Sequence, residues 1–149
     1  MTGGPRTGRD VLTPPRPRGW TQRADWLATQ QRQRSIDLAQ CHGPQAAAMI
    51  AEMARAYCAG AYAAVIVLAQ AVLDAEMAAR VATTDLPLLD RNYTWLRQYR
   101  NKLAHGVNDD GEINLTLSID AVGEDQPAMD RDARRAIILV FEAVFDPPG

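Results

Sequence analysis

The 149-residue chain is poor in aromatic residues, at 6%, and in cysteine, of which it has two. Few aromatics beside many Ala, Leu and Val weigh against a β-sandwich and favour helices. Cys41 and Cys58 form neither a metal-ligand spacing nor a disulfide framework, which argues against a zinc-held or disulfide-held scaffold. The chain has no Gly-rich phosphate loop, no His/Cys metal cluster and no G-x-S-x-G elbow. Neither a cofactor nor a metal is therefore expected. It lacks a dominant charge as well: at a net −2 it is not a polyanion binder by bulk electrostatics. The Arg- and Pro-containing N-terminus has no apolar h-region and does not read as a signal peptide, so the reducing cytoplasm is the expected compartment.

What the chain does have is a 47% share of hydrophobic residues, ample for one core at the commonest domain size. Its charge is uneven. Residues 1–34 hold seven Arg against two Asp, and residues 109–132 hold eight acidic residues against one Arg. Such asymmetry steers a charged ligand, or it describes a solvated tail and loop. Between Ala56 and Leu73 only Gln70 is clearly polar, as a membrane span would require. The stretch is rich in Ala and Gly, which drive insertion weakly, and Asp74 and Glu76 follow it. A buried central helix is the better reading, with no membrane partner.

Residues 1–19 carry Pro5, Pro14, Pro15 and Pro17 among Gly and Arg and read as a disordered Pro/Arg-rich tail. Its arginines either touch phosphates or merely solubilise the chain. Residues 20–146 read as a single all-α domain, with an acidic insertion over 107–127 and a short end at 147–149. A first helix is expected from Thr21, a usable N-cap, to Gln40, where Cys41-His42-Gly43-Pro44 stops it. His42 in that breaker reads as a surface turn residue. Helices follow over Pro44–Ala59, Ala61–Val81, Leu88–Ala104 and Met129–Phe145. Ile113, Leu115, Leu117 and Ile119 alternate with polar residues, as in a half-buried strand. That strand needs a neighbour in this chain or a second subunit, or it is an extended loop. The expected architecture is an antiparallel bundle of four to five helices with a short β insertion before the last helix.

Chemistry concentrates in Arg100-Asn101-Lys102-Leu103-Ala104-His105-Gly106. Arg offers a planar fork of donors that matches phosphate oxygens and stays charged. His moves protons near neutral pH. RNA carries its own nucleophile, the 2′-OH, so a base, an acid and charge stabilisation suffice. Asn101 lies four residues before His105, on the same helical face, and its amide can hold the imidazole or the substrate. Arg100 and His105 are about 140° apart around an ideal helix. Either the helix frays before His105, as Gly106 permits, or the site is a cleft lined from both directions. Lys102 and Arg97 are candidate substrate contacts, and Arg97 shares the face of Asn101. Asp74 could hold Arg100 from a neighbouring helix. Tyr99, four residues from Trp95, is a second supporting candidate, as core or as a base-stacking ring.

The segment resembles the R-x4–6-H motif of the HEPN superfamily, often written with Asn directly after the Arg. The likeness is specific at the motif and architectural over residues 45–145. It implies an all-α domain whose active-site set is Arg100, Asn101 and His105, acting as a metal-independent endoribonuclease. It also implies a homodimer with two motifs facing one cleft, RNA as substrate, and a role in toxin–antitoxin, defence or RNA-processing systems. A cognate antitoxin is then a further partner. The competing reading is a non-catalytic HEPN-like module that dimerises or binds nucleotides or RNA.

Overall fold

The computed structural model describes residues 12–81, 91–105 and 122–145, without the side chains of 81, 91 and 92. These residues form five α-helices and no strand: α1 Pro17–Gln33, α2 Pro44–Cys58, α3 Tyr62–Val81, α4 Arg91–His105 and α5 Pro127–Phe145. The expected strand over Ile113–Ile119, the turn over 83–87 and Gly106 lie outside the described residues.

Three helices open on proline. Pro17, Pro44 and Pro127 each begin a helix, where the missing N–H costs nothing and the fixed φ suits the first turn. α1 therefore starts before Thr21, whose Oγ1 donates to the Pro17 carbonyl from inside the helix. It also ends seven residues before Gln40. Ser35 turns to a left-handed φ of 51°, and the Ile36 amide closes back onto the Gln31 carbonyl. The stop is thus a helix-terminating backbone turn rather than the Gly-Pro breaker. A single 3-10 turn, Leu38–Gln40, then leads to α2, with Asp37 accepting from the Ala39 amide.

Gly60 parts α2 from α3 as its sequence context suggests. It adopts φ 72°, and a Cβ there would lie 2.6 Å from Glu124 Cβ. α3, apolar almost all round, packs on α2, α4 and α5. Val65, Ile66, Ala69, Val72 and Leu73 are fully buried there beside Ile50, Met53 and Tyr57 of α2 and Ile137, Val140 and Phe141 of α5. Over Tyr62–Arg80 this helix is long and apolar enough to cross a membrane by composition. Here it forms the centre of the bundle, and it buries Gln70, Glu76 and Arg80 along with its apolar side chains.

Candidate active site

α4 carries the motif, and its burial pattern divides the motif's side chains. Tyr93, Trp95, Leu96, Tyr99 and Lys102 are buried, whereas Thr94, Arg97, Gln98, Ala104 and His105 are exposed and Asn101 is half-buried. With roughly 100° per residue, Arg97, Asn101 and His105 follow one another across the outer face, and Arg100 borders that face on the side of Tyr93. Tyr93 faces α3, where its hydroxyl donates to Asp74 Oδ1 at 3.1 Å. The opposite border faces α5: the Trp95 ring lies under Arg135, and the Tyr99 hydroxyl donates to Asp132 Oδ2 at 2.8 Å.

His105 is the last residue of α4 and remains helical, so the helix does not fray ahead of it. Arg100 and His105 accordingly diverge, and the alternative that remains is a cleft lined from both sides of the outer face. Arg100 is half-buried, and its Nε is buried without a hydrogen-bond acceptor. The side chains of Arg97, Asn101 and His105 make no hydrogen bond or ion pair among the described residues. A guanidinium N–H held out of water with no acceptor is costly, about 1–3 kcal/mol in typical proteins. It is the kind of group that a ligand oxygen satisfies.

Several expected partnerships are replaced by others. Asp74 does not reach Arg100; it accepts from Gln70 Nε2 at 2.9 Å and from Tyr93 instead. Tyr99 is core rather than a stacking platform, with its ring edge-on to Trp95 at 5.4 Å and its hydroxyl on Asp132. Burial, and then the Asp132 carboxylate, push its phenol well above the ordinary value. Lys102 is only 7% exposed, because it continues the Trp95–Tyr99 row into the interior. That burial sets it apart from an ordinary solvated surface lysine. Arg97 keeps the exposed position the sequence suggests.

The structure also assembles a polar cluster that the sequence reading passed over. Glu76 is fully buried in α3 and accepts from the Nδ1 and backbone amide of His42 and from Arg80 Nε at 3.2 Å. Arg80 NH2 in turn donates to the carbonyls of Ala143 and Val144, both at 3.1 Å. One buried carboxylate therefore ties the α1–α2 connection to α3, and its arginine ties α3 to the end of α5. The legible signal is a Glu–Arg pair four residues apart inside an almost wholly apolar helix. Cys41 lies alongside; burial, followed by the charge of Glu76, pushes its thiol up, away from the thiolate a nucleophile needs. Burial raises Cys58 likewise. Among the described residues no group of His, Cys, Asp and Glu is placed to hold a metal.

The described end of the acidic insertion is also knotted into the fold. Glu124 accepts from the Arg16 amide and from Arg23 NH2, each at 2.9 Å, and its carbonyl accepts from the Tyr62 hydroxyl at 2.8 Å. Comparison with protein-family models, with curated proteins and with solved structures finds no match.

Proposed function

We propose that the chain is a HEPN-like, metal-independent endoribonuclease that cleaves RNA by 2′-OH transesterification. The observation that carries this is the outer face of α4. There the side chains of Arg97, Asn101 and His105 stand without partners among the described residues, bordered by an arginine whose buried Nε has no acceptor. His105 takes the proton from the 2′-OH, the 2′-oxygen attacks phosphorus, and the 5′-oxygen leaves with a proton. The products are a 2′,3′-cyclic phosphate and a free 5′-hydroxyl. Arg100 stabilises the charge that grows on the phosphorane, Asn101 orients the imidazole or the scissile phosphate, and Arg97 holds a flanking phosphate.

One α4 supplies a single exposed histidine, and Arg100 and His105 diverge on it. A homodimer placing two α4 faces across one cleft supplies both a base and an acid, and lines that cleft from both directions. In this reading the five helices form an antiparallel bundle with an extended insertion before α5. The protein works in the cytoplasm, as a toxin restrained by an antitoxin or as a defence or RNA-processing component. The test is cleavage of a labelled RNA in excess EDTA by the wild type and by His105→Ala. Retained cleavage in EDTA, cyclic-phosphate ends, and a loss of roughly 10²–10⁴-fold in the variant are expected. Cleavage abolished by EDTA, or undiminished in His105→Ala, refutes the mechanism.

A further inference from the structure

Several arginines among the described residues rest on carboxylates. Arg16 and Arg23 sit on Glu124, Arg80 on Glu76, Arg134 on Asp130 and Arg34 on Glu142. On α4 and α5, by contrast, Arg97, Arg100, Arg131 and Arg135 form no ion pair among the described residues. Two of these four belong to the site already described. The other two, Arg131 and Arg135, lie on α5 in an open groove of about 340 Å³ lined by Arg131, Arg134, Arg135, Ile138, Leu139 and Glu142. Spacings of three, four, seven and eleven residues put these side chains on one face of α5.

We propose that this groove binds the phosphodiester backbone of single-stranded RNA and leads the strand along the α4–α5 seam to His105. The inference rests on the ribonuclease reading for its substrate and extends it to a surface outside the motif. Of the three guanidiniums that line the groove, Arg134 rests on Asp130, and Arg34 engages the lining carboxylate of Glu142 at 3.4 Å, which leaves Arg131 and Arg135 without an ion pair among the described residues. Arg131 and Arg135 are four residues apart, a like-charge pair that mildly disfavours the free helix. A phosphate chain between them relieves that repulsion.

Arg135 is held ready for this. Its Cζ lies 3.8 Å from the centroid of the Trp95 ring, so the indole fixes the guanidinium plane and leaves its N–H edges free. Trp95 belongs to α4, ten residues before His105, or about 15 Å along the helix axis. Arg131 stands closer to the site, next in sequence to Asp132, whose carboxylate accepts from the Tyr99 hydroxyl at 2.8 Å. Tyr99 precedes His105 by about 9 Å of helix. The apolar side chains of Ile138 and Leu139 give ribose and base faces a floor between the charges.

A second copy of the chain fits the groove poorly. A two-fold contact through this face would set the arginine stripe of one subunit against the same stripe of the other. With only Ile138 and Leu139 as apolar lining, little hydrophobic gain offsets that repulsion.

The experiment uses the full chain carrying His105→Ala, so that RNA survives, and a fluorescein-labelled single-stranded oligoribonucleotide read by anisotropy over a salt series. Its all-deoxy counterpart serves as a second probe. Adding Arg131→Gln and Arg135→Gln is expected to weaken binding roughly tenfold or more at 0.1 M salt. The slope of log affinity against log salt should fall by about 0.7 for each arginine. The deoxy probe should behave alike, since phosphate contacts ignore the 2′-OH. Arg131→Glu alone, at an exposed side chain without an ion pair, should reproduce the loss if the double variant melts early. Arg135→Lys should restore the slope but only part of the affinity.

Unchanged affinity and slope overturn the proposal. So does a variant that shifts the sedimentation of the protein while RNA affinity stays put, which would mark the groove as a self-contact. The ribonuclease reading fails separately, through cleavage that survives His105→Ala or dies in EDTA, whatever the arginines do to binding.

Discussion

The two histidines of this protein occupy opposite kinds of surroundings. His42 stands at the joint between α1 and α2, where its ring and its amide both reach the buried Glu76, and Arg80 completes the set. His105 stands at the exposed end of α4 without a partner among the described residues. The contrast extends to their neighbours. Around Glu76 and Glu124 each cation rests on a carboxylate or a carbonyl, and what they hold together is helix ends. On α4 and α5, Arg97, Arg100, Arg131 and Arg135 form no ion pair among the described residues, while Arg134 rests on Asp130. Buried polar groups in a folded chain are nearly always satisfied, and on the outer face of α4 the Nε of Arg100 is buried without an acceptor.

The largest expected effect tests that division directly. His105→Ala should lower RNA cleavage by roughly 10²–10⁴-fold and leave the melting temperature near that of the wild type. His42→Ala should do the reverse: cleavage stays within a few-fold while thermal stability drops. Kinetics and a melting curve on both variants settle it, and equal losses of activity would erase the distinction between the two histidines.

Next in size is the Glu76 cluster itself. Glu76→Ala removes the buried carboxylate that the Arg80 guanidinium, 9% exposed in its side chain, and the His42 ring share. Breaking a buried pair in this way costs about 3–5 kcal/mol, and urea unfolding measures it. Glu76→Gln keeps the shape and one acceptor and should cost less. A loss below about 1 kcal/mol in Glu76→Ala would place the tie between α3 and α5 in apolar packing alone.

Much of the bundle was legible because it depends on local pattern. The apolar run Ala61–Ala69 marks the central helix, Gly60 the break before it, and the spacing of Tyr93, Leu96 and Leu103 the inward side of α4. What pattern could not give was pairing between distant residues. Nothing near Glu76 in sequence identifies His42, 34 positions away, as its partner. Nor does local spacing tell that Asp74 turns to Tyr93 rather than to Arg100, or that Lys102 follows Trp95 and Tyr99 inward. The α1 boundaries were misjudged for a local reason. Ser35 takes the left-handed turn usually left to glycine, and Pro17 starts a helix where the proline count suggested a tail.

Gly60→Ala probes the other carboxylate knot. The residue sits at φ 72°, and a methyl group there would come within 2.8 Å of Glu124 Cα. Backbone strain and the collision together should cost about 2–3 kcal/mol by denaturant unfolding, with RNA binding intact in the fraction that folds. A neutral substitution would mean that the 122–126 segment moves freely away from the α2–α3 turn.

The smallest effect concerns the charge of Glu124. The Arg16 amide, then the Arg23 and Arg16 guanidiniums, hold its carboxyl below the ordinary 4.5 against the opposing pull of burial. A carboxyl whose folded-state pKa is depressed contributes stability above its unfolded value and loses it as pH falls through the folded one. Wild type should therefore exceed Glu124→Gln in stability near pH 6, and the gap should close as pH drops from about 4.5. Salt should narrow it as well, because the Arg16 side chain is 67% exposed and its share of the attraction is screened. Urea midpoints for both proteins at pH 6 and pH 3 read the effect. A gap that persists in acid would assign the side chain's contribution to its neutral hydrogen bonds, leaving Arg23 a packing residue rather than a counter-ion.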